Sequence, residues 1–179
     1  MQKPVLVIVD YQKAFDDASF FGRRNNLDAE KNAGEVLEAF RTRDLPVIHI
    51  RHDSVSRGSP LGADQPGNAA MDFATPRSSE PVLSKTVNSA FIGTDLENRL
   101  RALNADPVVI MGISTDHCVS TTTRMSANLG FNTILVGDAC FTFNRKTIAA
   151  DTVHETELAI LDGEFAEVTT SKALIGRLA

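Results

Sequence analysis

The feature that most constrains the fold of this chain is a series of short apolar segments that alternate with stretches of helical apolar spacing. Val5–Val9 is an unbroken aliphatic run, which is typical of a strand buried on both faces of a parallel sheet. Further strand-like segments occupy residues 46–50, 81–84, 107–111, 132–136 and 165–169. This alternation predicts an α/β fold in which an open, mostly parallel, Rossmann-like sheet of six strands lies between two layers of helices.

The segments between the predicted strands have helical character, with one exception. Apolar spacing predicts helices at 26–43, 94–104, 118–129, 146–161 and 171–178. Thr94 and Ser171 are the predicted N-caps of the second and the last of these helices. The exception is residues 54–80, which hold much of the Gly, Pro and Ser and show little periodicity, so we expect a long surface loop there.

Length and charge limit the classes of protein to which this chain can belong. With 179 residues, 42% of them hydrophobic, it suits one domain that spans residues 1–179. A net charge of −5 without a basic block argues against nucleic-acid and anionic-membrane partners. No apolar run approaches the ~20 residues that cross a bilayer, and the N-terminus lacks a signal-peptide pattern, so we expect a cytoplasmic protein.

Reactive side chains follow several of the predicted strands. They are, in chain order, Asp10, His52, Asp53, Lys85, Cys118 and Asp138. Ligands of open α/β sheets bind at the carboxyl ends of the strands, so these side chains should lie near one another. Cys118 also stands where a helix begins, and the unpaired N–H groups and the dipole at such a point lower a thiol pKa and bind an oxyanion. We therefore predict that Asp10 and Lys85 lie against Cys118.

Each of these three residues also has a structural interpretation. An Asp after a strand is most often a turn or N-cap residue, and a Lys there is most often solvated. A cysteine at a helix start is most often a small buried hydrophobe. These interpretations weaken together, because all three groups fall at one edge of the sheet. The second cysteine, Cys140, is predicted to be a core thiol, and a disulfide scaffold is not expected.

Three segments together resemble one known family of enzymes. They are DYQKAF at residues 10–15, Lys85 followed by SAF at 89–91, and GISTDHCV at 112–119. The combination is similar to the isochorismatase-like cysteine hydrolases, which include isochorismatases, nicotinamidases, N-carbamoylsarcosine amidases, biuret hydrolases and ureidoacrylate amidases. The resemblance extends from about residue 5 to residue 168, and its third segment is the most distinctive.

The resemblance implies a catalytic triad of Asp10, Lys85 and Cys118. In such a triad the Asp takes the thiol proton and later returns it to the leaving amine, while the Lys favours the thiolate. The thiolate attacks an amide-type carbonyl, and water hydrolyses the resulting thioester. The resemblance further implies that the backbone N–H groups of Ser114 and Cys118 form an oxyanion hole, after a cis peptide bond between Ile113 and Ser114.

The resemblance also suggests how the substrate is bound. It places Phe15 and Phe91 in a pocket for a small-molecule substrate, and it implies a homodimer or homotetramer without a cofactor. His117 adjoins the nucleophile, but adjacent residues at a helix start point in different directions, so we expect a substrate contact or a structural role for it. No metal site is predicted, because His49 and His52 are three residues apart on a strand and should point to opposite faces.

Two rival functions stay open at this stage. Isochorismatase-type members that cleave a vinyl ether do without the cysteine, so Cys118 favours an amide, ureide or carbamoyl substrate instead. A non-catalytic redox protein could pair Cys118 with Cys140 as its resolving thiol, but such a protein would not need Lys85. A binding module that has lost its activity is disfavoured by the complete set of three reactive residues.

Overall fold

The sheet of this protein has the predicted class. The computed structural model describes residues 3–178, and these contain six strands in the order β3-β2-β1-β4-β5-β6, with every neighbouring pair parallel. The strands are β1 (Val5–Val9), β2 (Val47–His52), β3 (Val82–Lys85), β4 (Val108–Ile113), β5 (Thr133–Phe141) and β6 (Glu167–Thr169). The strand order reverses between β1 and β4, so their carboxyl ends flank the crevice where ligands of such sheets bind.

Helices cover both faces of this sheet. They are α1 (Ala18–Phe21), α2 (Ala29–Thr42), α3 (Leu96–Ala102), α4 (Ser120–Asn128), α5 (Ala150–Leu161) and α6 (Ser171–Arg177). The pair α2 and α6 packs together against β5, and the pair α4 and α5 packs together against β5 and β6. Right-handed crossovers that run in opposite directions from β1 place the two pairs on opposite faces. The three-layer α/β/α arrangement is therefore confirmed, with the fully buried β1 at its centre.

Several element boundaries differ from the prediction, each for a local reason. The helix predicted from residue 146 begins at Ala150, because Arg145 and Ile148 exchange backbone hydrogen bonds of 2.9 Å and close a turn before it. Asp95 rather than Thr94 is the N-cap of α3, although the Thr94 hydroxyl accepts a bond from the Leu96 N–H.

Ser171 is likewise not the N-cap of α6. Thr170 occupies that position and its side chain accepts a hydrogen bond from the Ala173 N–H. The Ser171 hydroxyl instead donates to the Asp138 carboxylate at 2.8 Å, which explains why this serine is buried at the start of the helix.

The segment 54–80 is more ordered than a plain surface loop. It contains two short 3-10 turns, Pro66–Asn68 and Asp72–Ala74. The buried Asn68 side chain donates to the carbonyl oxygens of His52 and Leu61, at 3.2 and 2.9 Å. These bonds fold the segment back over the carboxyl end of β2.

Among the described residues, no helix has both the length and the apolar character that crossing a membrane requires.

Candidate active site

A buried ion pair joins the ends of two strands that are not neighbours in the sheet. Asp10 follows β1 and has a φ of 53°, a left-handed conformation that Asp adopts more readily than most residues. Lys85 is the last residue of β3. The Lys85 Nζ lies 2.7 Å from Asp10 Oδ2, and neither side chain has any exposed surface. The order β3-β2-β1 lets the long lysine side chain reach across the end of β2.

Cys118 reaches the same point from the opposite side. It lies in Thr115–Val119, a single π-helical turn between β4 and α4, rather than at the first residue of an α-helix. Its Sγ is 3.3 Å from Lys85 Nζ. The same Nζ is 3.1 Å from the Nδ1 of His52, so the three N–H groups of the ammonium have three acceptors: Asp10, Cys118 and His52. The structure thus brings together the three residues predicted from the sequence.

One oxygen of the Asp10 carboxylate has no hydrogen-bond partner within residues 3–178. This atom is Oδ1, and it is buried. A carboxylate oxygen of Asp10, a ring nitrogen of His52 and the Sγ of Cys118 all lie within 4.8 Å of one another. A buried acceptor without a donor costs about 1–3 kcal/mol, so its presence in a native fold calls for an explanation such as a catalytic role. Here it can accept a proton from the neighbouring thiol.

The electrostatics of the site keep the thiol protonated before reaction. Burial, followed by the negative charge of Asp10, raises the pKa of Cys118 to about 12, although Lys85 acts in the opposite direction. Burial also raises the pKa of Asp10 above its ordinary value, against the influence of Lys85. The lowering of the thiol pKa expected at a helix start is therefore outweighed by burial and by the charge of Asp10. Attack by Cys118 requires a base that removes its proton.

His52 enters the site as a neutral ring. Burial and the charge of Lys85 lower its pKa. Because an ammonium has no acceptor, Nδ1 must accept from Lys85, and the ring proton then resides on Nε2, toward the Val87 backbone. His52 therefore orients Lys85 without adding a charge.

The chain turns sharply between β4 and the cysteine. The peptide bond between Ile113 and Ser114 is cis, as predicted. Gly112, which precedes it, has a φ of 149°, and a Cβ there would lie 2.0 Å from the Val9 carbonyl oxygen, so only glycine lets β4 approach β1 this closely. The Ser114 carbonyl accepts from the N–H groups of His117 and Val119.

The N–H of Ser114 is not used by the fold. Within the part of the chain that the structure describes, it has no hydrogen-bond acceptor. Ser114 therefore offers a free backbone donor at the entrance to the turn that holds Cys118. A free backbone donor beside a nucleophile is one of the features that an oxyanion hole requires.

These groups open into a cavity of about 210 Å³. Its reactive side consists of Asp10, His52, Ser114, His117 and Cys118, and the rest of its wall is formed by Phe15, Phe21, Leu61, Asn88, Phe143 and Arg145. The ring centroids of Phe15 and Phe21 are 4.8 Å apart, and those of Phe21 and Phe143 are 5.2 Å apart, so three phenyl rings form one continuous apolar surface.

Two of the three predicted substrate contacts lie in this wall, and one does not. Phe15 and His117 line the cavity, whereas Phe91 lies outside its lining and stacks on Phe131 with ring centroids 6.2 Å apart. The Ala90 N–H donates to the Thr122 hydroxyl, which ties this segment to α4. Phe91 is therefore not part of this cavity wall, and its contact with a substrate stays a prediction.

Comparison with known proteins agrees with this geometry. Residues 4–173 match the isochorismatase domain. The chain belongs to the isochorismatase family. It is 45% identical to the isochorismatase family protein YrdC of Bacillus subtilis (strain 168), over 97% of this chain and 95% of that protein. It also superimposes with a TM-score of 0.95 on a hydrolase of the family from Chromobacterium violaceum ATCC 12472, at 44% identity, covering 99% of this chain and 94% of that one.

A more distant member of the family has a named activity. N-carbamoylsarcosine amidase from Thermoplasma acidophilum is 27% identical, covers 95% of this chain and 97% of its own, and superimposes with a TM-score of 0.75. The resemblance predicted from the three sequence segments is therefore confirmed, and this member of the isochorismatase family is a hydrolase.

One group of side chains in the present protein could be mistaken for a metal site. Asp10, His52 and Cys118 present one ligand atom each within 4.8 Å of one another. However, the ammonium of Lys85 contacts all three residues, at 2.7, 3.1 and 3.3 Å. It lies where a metal ion would have to lie, so the donor set fits a lysine and does not fit a metal. His49 points to the other face of β2 and bonds to Glu80.

Sequence reasoning missed several residues of this site. His52 was identified only as a strand-end residue, and its bond to Lys85 was not foreseen. Phe143 and Arg145 follow β5, whose end was placed at residue 136 instead of Phe141. A correct end of β5 would have put both residues at the carboxyl edge of the sheet, where they could have been recognised.

Proposed function

We propose that this hydrolase cleaves the C–N bond of a small amide, ureide or carbamoyl compound through an acyl thioester on Cys118. The observation that carries the proposal is the contact of Lys85 Nζ with both Asp10 and Cys118 beside a carboxylate oxygen without a partner. A thiol, a base and a cation in mutual contact are the groups that nucleophilic acyl transfer requires.

The first half-reaction forms the thioester. Asp10 removes the thiol proton while the Cys118 sulfur bonds to the carbonyl carbon and the carbonyl electrons move onto oxygen. The N–H groups of Ser114 and Cys118 stabilise that oxyanion. The C–N bond then breaks, and the leaving nitrogen takes the proton from Asp10, so the carboxylate is free again.

The second half-reaction releases the acid. Asp10 takes a proton from water, whose oxygen attacks the thioester carbonyl. The C–S bond breaks, the acyl group leaves with the water oxygen, and the proton returns to the sulfur. Because burial raises the pKa of Cys118, the thiol needs Asp10 to take its proton, and Lys85 offsets the developing negative charge on the sulfur.

The cavity favours a compact substrate with an apolar part. Its volume of about 210 Å³ suits a small molecule, and three phenyl rings form one side of it. Its charged groups are already paired, Lys85 with Asp10 and Arg145 with Asp116. The carbamoyl substrate named for the N-carbamoylsarcosine amidase relative agrees with the proposed bond type.

The structure gives the redox alternative no support. Cys140 is fully buried, and its thiol donates to the Val136 carbonyl oxygen at 3.3 Å. A resolving thiol has to reach the surface or its partner, and this one is held inside the sheet layer.

A single domain, a cytoplasmic location and a homodimeric or homotetrameric state remain predictions. Light scattering after gel filtration measures the oligomeric state.

The direct test is an ammonia-release assay on a panel of small primary amides, ureides and carbamoyl compounds. We expect at least one substrate, with turnover abolished in Cys118→Ala and retained in Cys140→Ala, the matched control for loss of a thiol. Turnover of the same substrate by Cys118→Ala at the wild-type rate would contradict the thioester mechanism. Silence across the panel together with efficient cleavage of isochorismate would replace it with vinyl-ether hydrolysis.

A further inference from the structure

The turn that holds Cys118 is braced by a single arginine, Arg145, which also lies in the cavity wall. Arg145 Nε lies 2.6 Å from Asp116 Oδ2, and Arg145 Nη2 lies 3.0 Å from Asp116 Oδ1. The same Nη2 is 3.2 Å from the hydroxyl oxygen of Ser114. Asp116 and Ser114 flank Thr115 in the turn, so one guanidinium holds both ends of the segment that leads into the nucleophile.

A second residue completes the brace. The Thr142 hydroxyl donates to the Asp116 carboxylate, and Arg145 Nη2 approaches the same hydroxyl at 3.3 Å. Bonds from Arg145 and Thr142, acting against the effect of burial, lower the pKa of Asp116 to about 2. Asp116 is therefore charged near neutral pH, where it pairs with Arg145.

The segment that supplies Arg145 is itself fixed. The Asn25 side-chain oxygen accepts from the Thr142 N–H at 2.8 Å, and the Asn25 N–H donates to the Thr142 carbonyl at 3.1 Å. Beyond it, Arg145 and Ile148 exchange two backbone bonds of 2.9 Å. The guanidinium therefore projects from a rigid support toward the turn.

We propose that Arg145, acting through Asp116 and Ser114, is a positioning residue for the oxyanion hole. Its brace holds the backbone N–H groups of Ser114 and Cys118 at the place where the carbonyl oxygen becomes negative. This inference rests on the proposed function, because an oxyanion forms only if Cys118 attacks a carbonyl. Arg145 has no bond to Asp10, Lys85 or Cys118 in the described chain, so its removal leaves the triad contacts in place.

Two thiol probes separate this role from general damage to the site. Propanal adds to Cys118 as a hemithioacetal: the S–C bond forms, the carbonyl electrons move to oxygen, and the thiol proton passes to Asp10. Iodoacetamide alkylates the same sulfur by displacing iodide, while Asp10 takes the thiol proton, and it makes no oxyanion. The affinity for propanal is measured by its protection of Cys118 against alkylation, which needs no knowledge of the natural substrate.

The variants are Arg145→Met, Arg145→Lys and, as a matched control, Arg124→Met. Arg124 makes a similar ion pair of 2.9 Å with Glu157, but on α4 and away from Ser114 and Asp116. We expect Arg145→Met to weaken propanal binding about tenfold or more, somewhat less than the ~10²–10³ lost when an oxyanion-hole donor itself is removed. Because Arg145 also lies in the cavity wall, some loss of alkylation rate is expected, but it should be smaller than the loss of propanal affinity, since alkylation does not use that donor.

The lysine variant sharpens the test. It keeps the charge but lacks the fork that bonds Asp116 and Ser114 together, so we expect a partial loss of propanal affinity. Arg124→Met should change neither probe. Equal losses of propanal affinity and alkylation rate in Arg145→Met, or no loss of either, would overturn the assignment. Because both probes read Cys118 directly, these outcomes are distinguishable from failure of the amidase assay.

Discussion

Two buried clusters, each with an acid, a cation and a histidine, lie on opposite faces of β2. One is formed by His49, Glu80 and Arg41, and the other by His52, Asp10 and Lys85. The odd spacing of the two histidines predicts that they point apart, and their separate partners confirm it. The two clusters therefore have similar residue types but lie on opposite sides of one strand, and they can be compared directly.

The His49 cluster is fully paired. Glu80 accepts from Arg41 Nε and Nη2, at 2.7 Å each, and from the Arg77 N–H and the His49 ring, at 2.9 Å each. Burial alone would raise the pKa of Glu80, but these bonds lower it to about 2. Every acceptor is used, so the cluster ties the end of the 54–80 segment to α2 and β2 and has no capacity left for chemistry.

The His52 cluster is incomplete in one respect. Asp10 Oδ1 has no donor within residues 3–178, and burial raises the pKa of that carboxyl although Lys85 contacts it. A thiol is present beside it. The comparison teaches that an unsatisfied acceptor next to a nucleophile, rather than the presence of buried charges, distinguishes a reactive site from a structural tie.

The largest expected effect comes from removing the base. Asp10→Asn keeps the shape of the side chain but cannot take the thiol proton, so kcat/KM for the identified amide should fall about 10³-fold, within the range of general base catalysis. Steady-state ammonia release measures it, with the melting temperature as a check on folding. An Asp10→Asn enzyme that is folded and retains a tenth of wild-type activity would remove the distinction between the two clusters.

The matched change in the other cluster should affect stability instead. Glu80→Gln leaves Arg41 without its carboxylate, so the free energy of unfolding should fall by about 3 kcal/mol, the scale for breaking a buried pair. Urea unfolding measures it. Ammonia release per folded molecule should stay near the wild-type value, since Glu80 contacts none of the groups at Cys118. A loss of turnover without a loss of stability would contradict this assignment.

The Glu80→Gln variant should also differ from the wild-type protein in how its stability depends on pH in acid. The pKa of Glu80 is lowered from 4.5 to about 2 on folding, so its contribution to stability is present above the unfolded value and is lost as the pH falls toward 2. The wild-type protein should therefore lose stability between about pH 5 and pH 2 more steeply than Glu80→Gln. Parallel slopes for the two proteins over that interval would show that Glu80 is not tied as described.

The smallest expected effect concerns the two histidines. His52→Leu removes an acceptor that orients Lys85 and should lower kcat about tenfold, the scale of a lost hydrogen bond of about 1.4 kcal/mol. His49→Leu should leave kcat unchanged and reduce stability by about 1 kcal/mol, because it removes one bond to Glu80. Equal kcat values for the two variants would show that His52 does not act through Lys85.

The sheet was predictable because its strands are marked by aliphatic runs such as Val5–Val9, which have few alternative structures. The convergence of Asp10, Lys85 and Cys118 was also predictable, since the ends of parallel strands meet at one edge. The thiol pKa was not, because the burial and the neighbouring Asp10 charge that raise it exist only in the folded chain.

The irregular parts of the site were least accessible to sequence reasoning. Arg145 lies in a turn whose position depends on bonds between residues far apart in the chain, such as Asn25 with Thr142. Phe91 sits in a segment that the Ala90 bond to Thr122 ties to α4. Neither arrangement leaves a periodic pattern, and so the three-ring wall and the arginine brace became visible only in three dimensions.

The central claim is that Cys118 carries the acyl group, and trapping that group tests it most directly. A substrate from the panel is mixed with the enzyme, the reaction is quenched in acid within one turnover, and the digested protein is analysed by mass spectrometry. We predict that the peptide containing Cys118 gains the mass of the acyl group and that this adduct decays at the turnover rate. Steady hydrolysis with no adduct on that peptide, and with undiminished activity in Cys118→Ala, would contradict the account.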